Sequence, residues 1–210
     1  MRRQPLPYFM SAKDLLKSLN RATFVMSAPT HHTLPIDEGA EVAFAGRSNA
    51  GKSSALNALT GHSSLARVSK TPGRTQHLVV FELLPGRRLI DLPGYGYAKV
   101  PLAVRAAWGE AMRDYFAERQ SLRGLVICMD VRHPLTEFDT MMLDFCDSRG
   151  LDCHILLTKC DKLSRGAAGN TLQAVRKALR EAESAATVQV FSAQKGDGLD
   201  EARAWVMARV

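Results

Sequence analysis

No apolar run in these 210 residues approaches the ~18 that a helix needs to cross a bilayer, and the opening Met1-Arg2-Arg3-Gln4-Pro5 lacks the hydrophobic stretch of a secretion signal. Cysteine is scarce. Cys128, Cys146, Cys153 and Cys160 form no C-x-x-C pattern, which argues against a zinc knuckle or a dithiol redox pair and leaves reduced, mostly buried thiols of a soluble cytoplasmic protein. There is no internal repeat and no low-complexity tract. Aromatic residues make up only 7%, and acid is the minority charge: 21 Asp and Glu against 28 Lys and Arg leave a formal charge of +7 and a pI of about 9.5. A basic surplus of this size suits a polyanionic partner such as RNA, although charge alone does not name one.

What is present is enough for one compact core, with 46% hydrophobic residues. Residues 1–38 read as a basic extension. After Ser11, Leu15, Leu16 and Leu19 recur at helical spacing, and Phe24-Val25-Met26 reads as a short strand before the loop from Pro29 to Pro35. Residues 39–210 read as the main domain. Six apolar runs, Val42 to Ala45, Leu78 to Leu84, Leu89-Ile90, Leu125 to Met129, Ile155 to Leu157 and Val188 to Phe191, alternate with helix-period segments. Pro101 opens one such segment, with Val104, Trp108, Met112 and Tyr115 on a single face; Leu172, Val175, Leu179 and Ala182 mark another, and Leu199, Ala202, Trp205 and Val206 a last one. Both tryptophans read as core anchors. The alternation predicts an α/β fold: a mainly parallel six-stranded sheet with helices on both faces.

The phosphate chemistry is explicit. Gly46-Arg47-Ser48-Asn49-Ala50-Gly51-Lys52-Ser53 matches G-x-x-x-x-G-K-[ST], follows an apolar strand and leads into a helix over Ser54 to Leu59. In such a loop the backbone N–H groups converge on phosphates at a helix N-terminus, Lys52 adds a point charge, and the Ser53 hydroxyl is a ligand for Mg2+. Asp91-Leu92-Pro93-Gly94 follows a further strand. Its carboxylate suits a metal-bound water, and the Gly94 N–H suits a γ-phosphate oxygen. Between them, Ser69-Lys70-Thr71-Pro72-Gly73-Arg74-Thr75 has the composition of a switch segment, with Thr75 or Thr71 as a second hydroxyl ligand; Gln76 and His77 then lead into a strand.

The base chemistry comes later in the chain. Thr158-Lys159-Cys160-Asp161 matches [NT]-K-x-D, and its carboxylate can accept both N1–H and the exocyclic amine of guanine, a pattern adenine does not offer. Phe191-Ser192-Ala193 leaves another strand and aims the Ala193 N–H at guanine O6. All four pieces fall at carboxyl ends of predicted strands, where open α/β sheets bind ligands. Their order predicts GTP or GDP as ligand and hydrolysis of GTP as the reaction.

With those residues placed, the sequence resembles the EngB (YihA/YsxC) family of bacterial P-loop GTPases, within the translation-factor-like class that includes Era and MnmE. The likeness is most specific over Gly46 to Ser54, Ser69 to Gln76 and Asp91 to Ala98. The resemblance implies an EngB-type G domain over 39–210 and Mg2+ held by Ser53 and Thr75, which selects Thr75 over Thr71. It implies Lys52, Thr75 and Gly94 as the catalytic groups. It also implies work in large ribosomal subunit assembly and a need in cell division and septation. Separately, the chain is expected to be a monomer that touches no membrane.

Position 95 holds Tyr where many small GTPases carry a water-orienting Gln, so intrinsic hydrolysis is expected to be slow, on the order of 10⁻⁴ to 10⁻² per second. The missing charge or water positioning would come from the ribosome or from K+ held partly by Asn49; Asn49 reads equally as a loop residue that bonds its own backbone. The basic residues Arg2, Arg3, Lys13, Lys17, Arg21, Arg67, Lys70 and Arg74 are candidates for ribosomal RNA contact. A competing reading makes the chain a ribosome- or RNA-binding module in which the nucleotide is only structural.

Overall fold

The computed structural model describes residues 11–66, 77–95 and 102–210, and gives residues 12 and 102–107 as backbone alone. Expectations resting on Arg2, Arg3, Arg67, Ser69 to Gln76, Gly96 to Lys99 and Pro101, or on the Val104 side chain, lie outside the described residues.

Apolar runs that carry hydrophobic residues on both faces become strands covered on both sides. β2 (Ala40–Gly46), β4 (Arg87–Asp91), β5 (Leu122–Asp130), β6 (Asp152–Thr158) and β7 (Thr187–Val190) lie parallel in the order β4-β2-β5-β6-β7. β3 (Leu78–Leu84) pairs antiparallel with β4, and β1 (Thr23–Ala28) pairs antiparallel with β3 at the edge. The sheet therefore has seven strands among the described residues, because the extension adds its own strand to the six expected. The fold is that of an α/β P-loop protein.

Six α-helices cover this sheet among the described residues. α1 (Ala12–Leu19), α2 (Lys52–Thr60) and α6 (Leu199–Met207) share one face, where Leu19, Leu56, Leu59, Ala202 and Val206 meet Val42, Phe44 and Val126. On the other face lie α3 (Leu102–Glu118), α4 (Glu137–Arg149) and α5 (Arg165–Glu181), whose Tyr115, Met142 and Val175 meet Ala43, Ala45, Leu125 and Ile127. Val42/Ala43 and Leu125/Val126 thus point to opposite cores, the period-two alternation of a strand. Ser11 caps α1 by accepting the Asp14 N–H at 3.3 Å. All four cysteines are buried and free.

Polar contacts hold the start of β2 and the loop before it to β4 and the end of α3. Glu41, wholly buried, accepts from Arg88 Nη1 at 3.0 Å and from Arg119 Nη2 at 2.6 Å, while Asp37 accepts the backbone N–H groups of Gln120 and Ser121 at 2.8 and 2.7 Å. Each guanidinium also meets a second acid, Arg88 Nε lying 3.8 Å from Glu82 and Arg119 Nε 3.4 Å from Asp37, so no charge of the cluster stands alone. The loop before β2 is thereby locked to the end of α3.

Candidate functional site

β2 ends at Gly46, and the chain turns through residues 47–51 into α2. Gly46 is required by proximity: a Cβ there would stand 2.8 Å from the Cys128 carbonyl oxygen of β5. Gly51 is required by conformation, since its φ of +91° is open to glycine and strained for other residues. Asn49 also takes a left-handed φ, 63°. Within the loop the Ala50 N–H bonds the Arg47 carbonyl at 2.9 Å. Arg47, Ser48, Lys52 and Ser53 are partly exposed, Asn49 is exposed, and Ala50 is buried.

The second motif closes on the first. The Lys52 ammonium contacts the Asp91 carboxylate at the end of β4, both side chains being about nine-tenths buried. The Ser48 N–H donates to the Tyr95 carbonyl at 2.8 Å, so the segment after Gly94 runs alongside the phosphate loop. Leu92 and Pro93 are buried and Gly94 is partly exposed. Ser53 follows Lys52 in the first turn of α2 and Asp91 lies against Lys52, so a hydroxyl residue and a carboxylate adjoin it; these are hard oxygen donors of the kind Mg2+ takes.

Tyr95 points away from this corner. Its ring stacks on Phe138 at a centroid distance of 5.8 Å and meets Trp108 at a tilt at 5.5 Å, and its hydroxyl donates to Asp139 Oδ1 at 2.7 Å in α4. Burial, with Asp139 beside it, pushes the phenol well above its ordinary pKa, so it remains a neutral donor. The side chain that stands where other GTPases keep a Gln is a core residue.

The base segment is tied to the phosphate loop. Thr158 Oγ1 contacts the Ala50 carbonyl and donates to the Met129 carbonyl at 3.0 Å. Lys159, held at a left-handed φ of 60°, sends its ammonium to the Asn49 carbonyl and to Asp130 Oδ2, the latter at 3.0 Å. Asp161 Oδ1 accepts from Ser192 Oγ at 2.7 Å. That hydrogen bond, aided by Lys162 and opposed by desolvation, holds the Asp161 carboxyl below its usual pKa and keeps it an acceptor. The Cys160 N–H donates to the Phe191 carbonyl at 3.2 Å, which brings the last motif beside the third. Cys160 and Phe191 are buried, so they present backbone to the site, whereas Asp161 and Ala193 are partly exposed.

Of the remaining expected site residues, Gly73, Arg74, Thr75 and Gln76 lie outside the described residues. His77 is exposed at the entry to β3, where its Nδ1 lies 3.1 Å from Ser27 Oγ of β1, and it joins none of the contacts above. Two residues that the sequence reading omits belong to the constellation. Asp130, ending β5, is gripped by Arg132 through Nε at 2.9 Å and Nη2 at 2.6 Å, and itself holds Lys159. Although burial opposes it, the bonds from Arg132 and Lys159 keep the Asp130 carboxyl far below the ordinary range. The available signal was an acid closing an apolar strand at the same sheet edge as Asp91 and Thr158.

Comparison with known proteins agrees with this geometry. A family model described as 50S ribosome-binding GTPase matches residues 41–159. A probable GTP-binding protein EngB of Stenotrophomonas maltophilia (strain K279a) is 58% identical over 186 residues, covering 88% of this chain and 93% of that protein. Among solved structures, a probable GTP-binding protein engB aligns with a TM-score of 0.63 at 20% identity, over 80% of this chain and 98% of that one. Era in complex with MgGDPNP and nucleotides 1506–1542 of 16S ribosomal RNA aligns with a TM-score of 0.61 at 23% identity, over 82% and 57% respectively. Fold, motif order and relatives together define a P-loop GTPase that binds GTP and GDP and hydrolyses GTP. The chain belongs to the EngB family of GTP-binding proteins.

Proposed function

We propose that this GTPase is a nucleotide-dependent switch in assembly of the large ribosomal subunit, working in the cytoplasm as a monomer and needed for normal cell division and septation. The observation that carries the ribosomal part is the match of residues 41–159 to the family described as 50S ribosome-binding. Era, on the same fold, is a protein crystallised with ribosomal RNA, and the +7 charge of this chain suits the same class of partner. The role in division rests on the EngB resemblance.

In this reading residues 1–38 are an extension carried on an EngB-type G domain of 39–210. Residues 46–53 cradle the phosphates, Lys52 leaves Asp91 for a phosphate oxygen, and Gly94 donates its N–H to the γ-phosphate. Ser53 and Thr75 would hold Mg2+, with Asp91 reaching it through water; the cation supplies charge to the developing phosphate oxyanion. Gly73, Arg74, Gln76 and His77 would contribute to nucleotide binding alongside Thr75. Asp161 and Ala193 read the guanine edge, and Lys159 spans base and phosphates. GTP would order residues 69–76 and 91–99, and hydrolysis would release them.

Purified large-subunit precursors titrated with the chain in a non-hydrolysable GTP analogue, in GDP and without nucleotide test the switch. Affinity should be highest in the GTP analogue. Equal affinity in all three would favour the alternative of a ribosome-binding module with a structural nucleotide. Because Tyr95 is turned into the core, unaided turnover should be slow, with K+ at Asn49 as one source of the missing charge. Hydrolysis should then run faster in KCl than in NaCl, and equal rates would remove K+ from the account.

A further inference from the structure

One cluster of donor groups lies apart from both the phosphate and base ends of the nucleotide site. His31 and His32 sit in a single 3₁₀ turn (His31–Thr33), closed by Thr33, whose Oγ1 donates to the Thr30 carbonyl at 2.8 Å. The two imidazole centroids are 3.9 Å apart with their planes at 42°. Glu118, the last residue of α3, places Oε2 2.9 Å from His31 Nε2. One ligand atom from each of His31, His32 and Glu118 lies within 4.8 Å of the others.

Contacts that owe nothing to the histidines hold this grouping together. Asp37 accepts two backbone N–H groups just beyond α3, and Arg119, next to Glu118, is fixed by buried Glu41. Both backbones that carry the donors are therefore already docked, and a cation would meet ligands that are preorganised. Two imidazoles and one carboxylate form a donor set that Zn2+ takes with a fourth position left to water. Mg2+, which wants oxygen ligands and octahedral geometry, is poorly served by it.

We propose that His31, His32 and Glu118 form a binding site for a borderline divalent cation, Zn2+ foremost, which clamps the N-terminal extension to the end of α3. The cation takes the place of the proton between His31 Nε2 and the Glu118 carboxylate; a neutral imidazole carries that proton on Nδ1 instead, and an imidazolium gives it up to solvent. Small rotations of the exposed His32 and Glu118 side chains are all the closure requires. A bound cation links positions 87 residues apart in sequence, and it stabilises the folded chain because the unfolded chain lacks the grouped ligands.

The full-length chain, saturated with Mg2+ and GDP so that the nucleotide site is filled, is titrated with Co2+ as a spectroscopic probe and with Zn2+ by calorimetry. The proposal predicts one bound equivalent, the visible spectrum of a low-coordinate Co2+ centre and a rise in melting temperature with Zn2+. His32→Ala and Glu118→Gln should each weaken binding about tenfold or more and abolish that rise, while GTP hydrolysis and metal-free melting stay at wild-type values. Absence of binding overturns the proposal, and so does binding that both variants retain.

Discussion

Lys159 is held by two contacts to its ammonium. Its ammonium touches the Asn49 carbonyl in the phosphate loop, and Asp130 fixes it from the side while Arg132 fixes Asp130. A lysine held this way is already ordered for the span from base to phosphates that the proposed function gives it, and on that proposal Asp130 would be a positioning residue for nucleotide retention. Losing a charge-assisted hydrogen bond costs about 1.5–3 kcal/mol. Asp130→Ala should therefore speed release of a fluorescent GDP by about ten- to a hundredfold while GTP is still hydrolysed, and unchanged release would assign Asp130 to the fold alone. The ends of this network differ in legibility. Gly51, Lys52 and Asp161 announce themselves because their chemistry demands fixed residue types at fixed spacing. Asp130 and Arg132 satisfy a contact made across strands, which no local spacing encodes.

Elements read well where one face or both are covered and poorly where pairing is remote. β2, β5 and β6 are hydrophobic on both faces, so their runs stand out. The strand in the extension is visible at Phe24 to Met26, yet its union with β3 is a long-range pairing that leaves Phe24 and Val25 exposed. The helices read from periodicity omit α4; its local mark is the Thr136/Asp139 pair, in which Asp139 Oδ2 accepts the Thr136 N–H at 2.9 Å while Oδ1 receives Tyr95. On β6, buried His154 stacks on Trp205 at 5.2 Å, and its nitrogens meet Thr187 and Gln189 at 2.7 and 2.8 Å, with Arg209 over the far ring. Burial, with Arg209 nearby and despite the Gln189 bond, lowers its pKa below 6.5. The unfolded chain then takes this proton first as pH falls, so stability is full above 6.5 and declines below it. Urea midpoints measured from about pH 8 to 5 should fall on the acid side for the wild type and fall less for His154→Gln; parallel declines would remove His154 as the cause.

At the scale of the molecule, the sheet brings four distant loops to one carboxyl edge and couples them. Thr158 and Lys159 bond the phosphate loop, and Cys160 bonds Phe191, so the motifs assigned to phosphate and base form one connected unit. That architecture was legible because each motif names its own chemistry and their order names the fold. The pairing of β1 with β3 and the Glu41 clasp were not, because they join segments far apart by contacts that any of several acids or apolar residues could make. The central claim is that Asp161 selects guanine at the end opposite the phosphates. Competition of GTP, XTP and ATP for the wild-type chain and for Asp161→Asn tests it most directly. The account predicts that the wild type prefers GTP and is indifferent to ATP, and that Asp161→Asn turns toward XTP because its amide donates to the xanthine 2-oxygen. ATP competing as well as GTP, or a preference the substitution leaves unchanged, would contradict it.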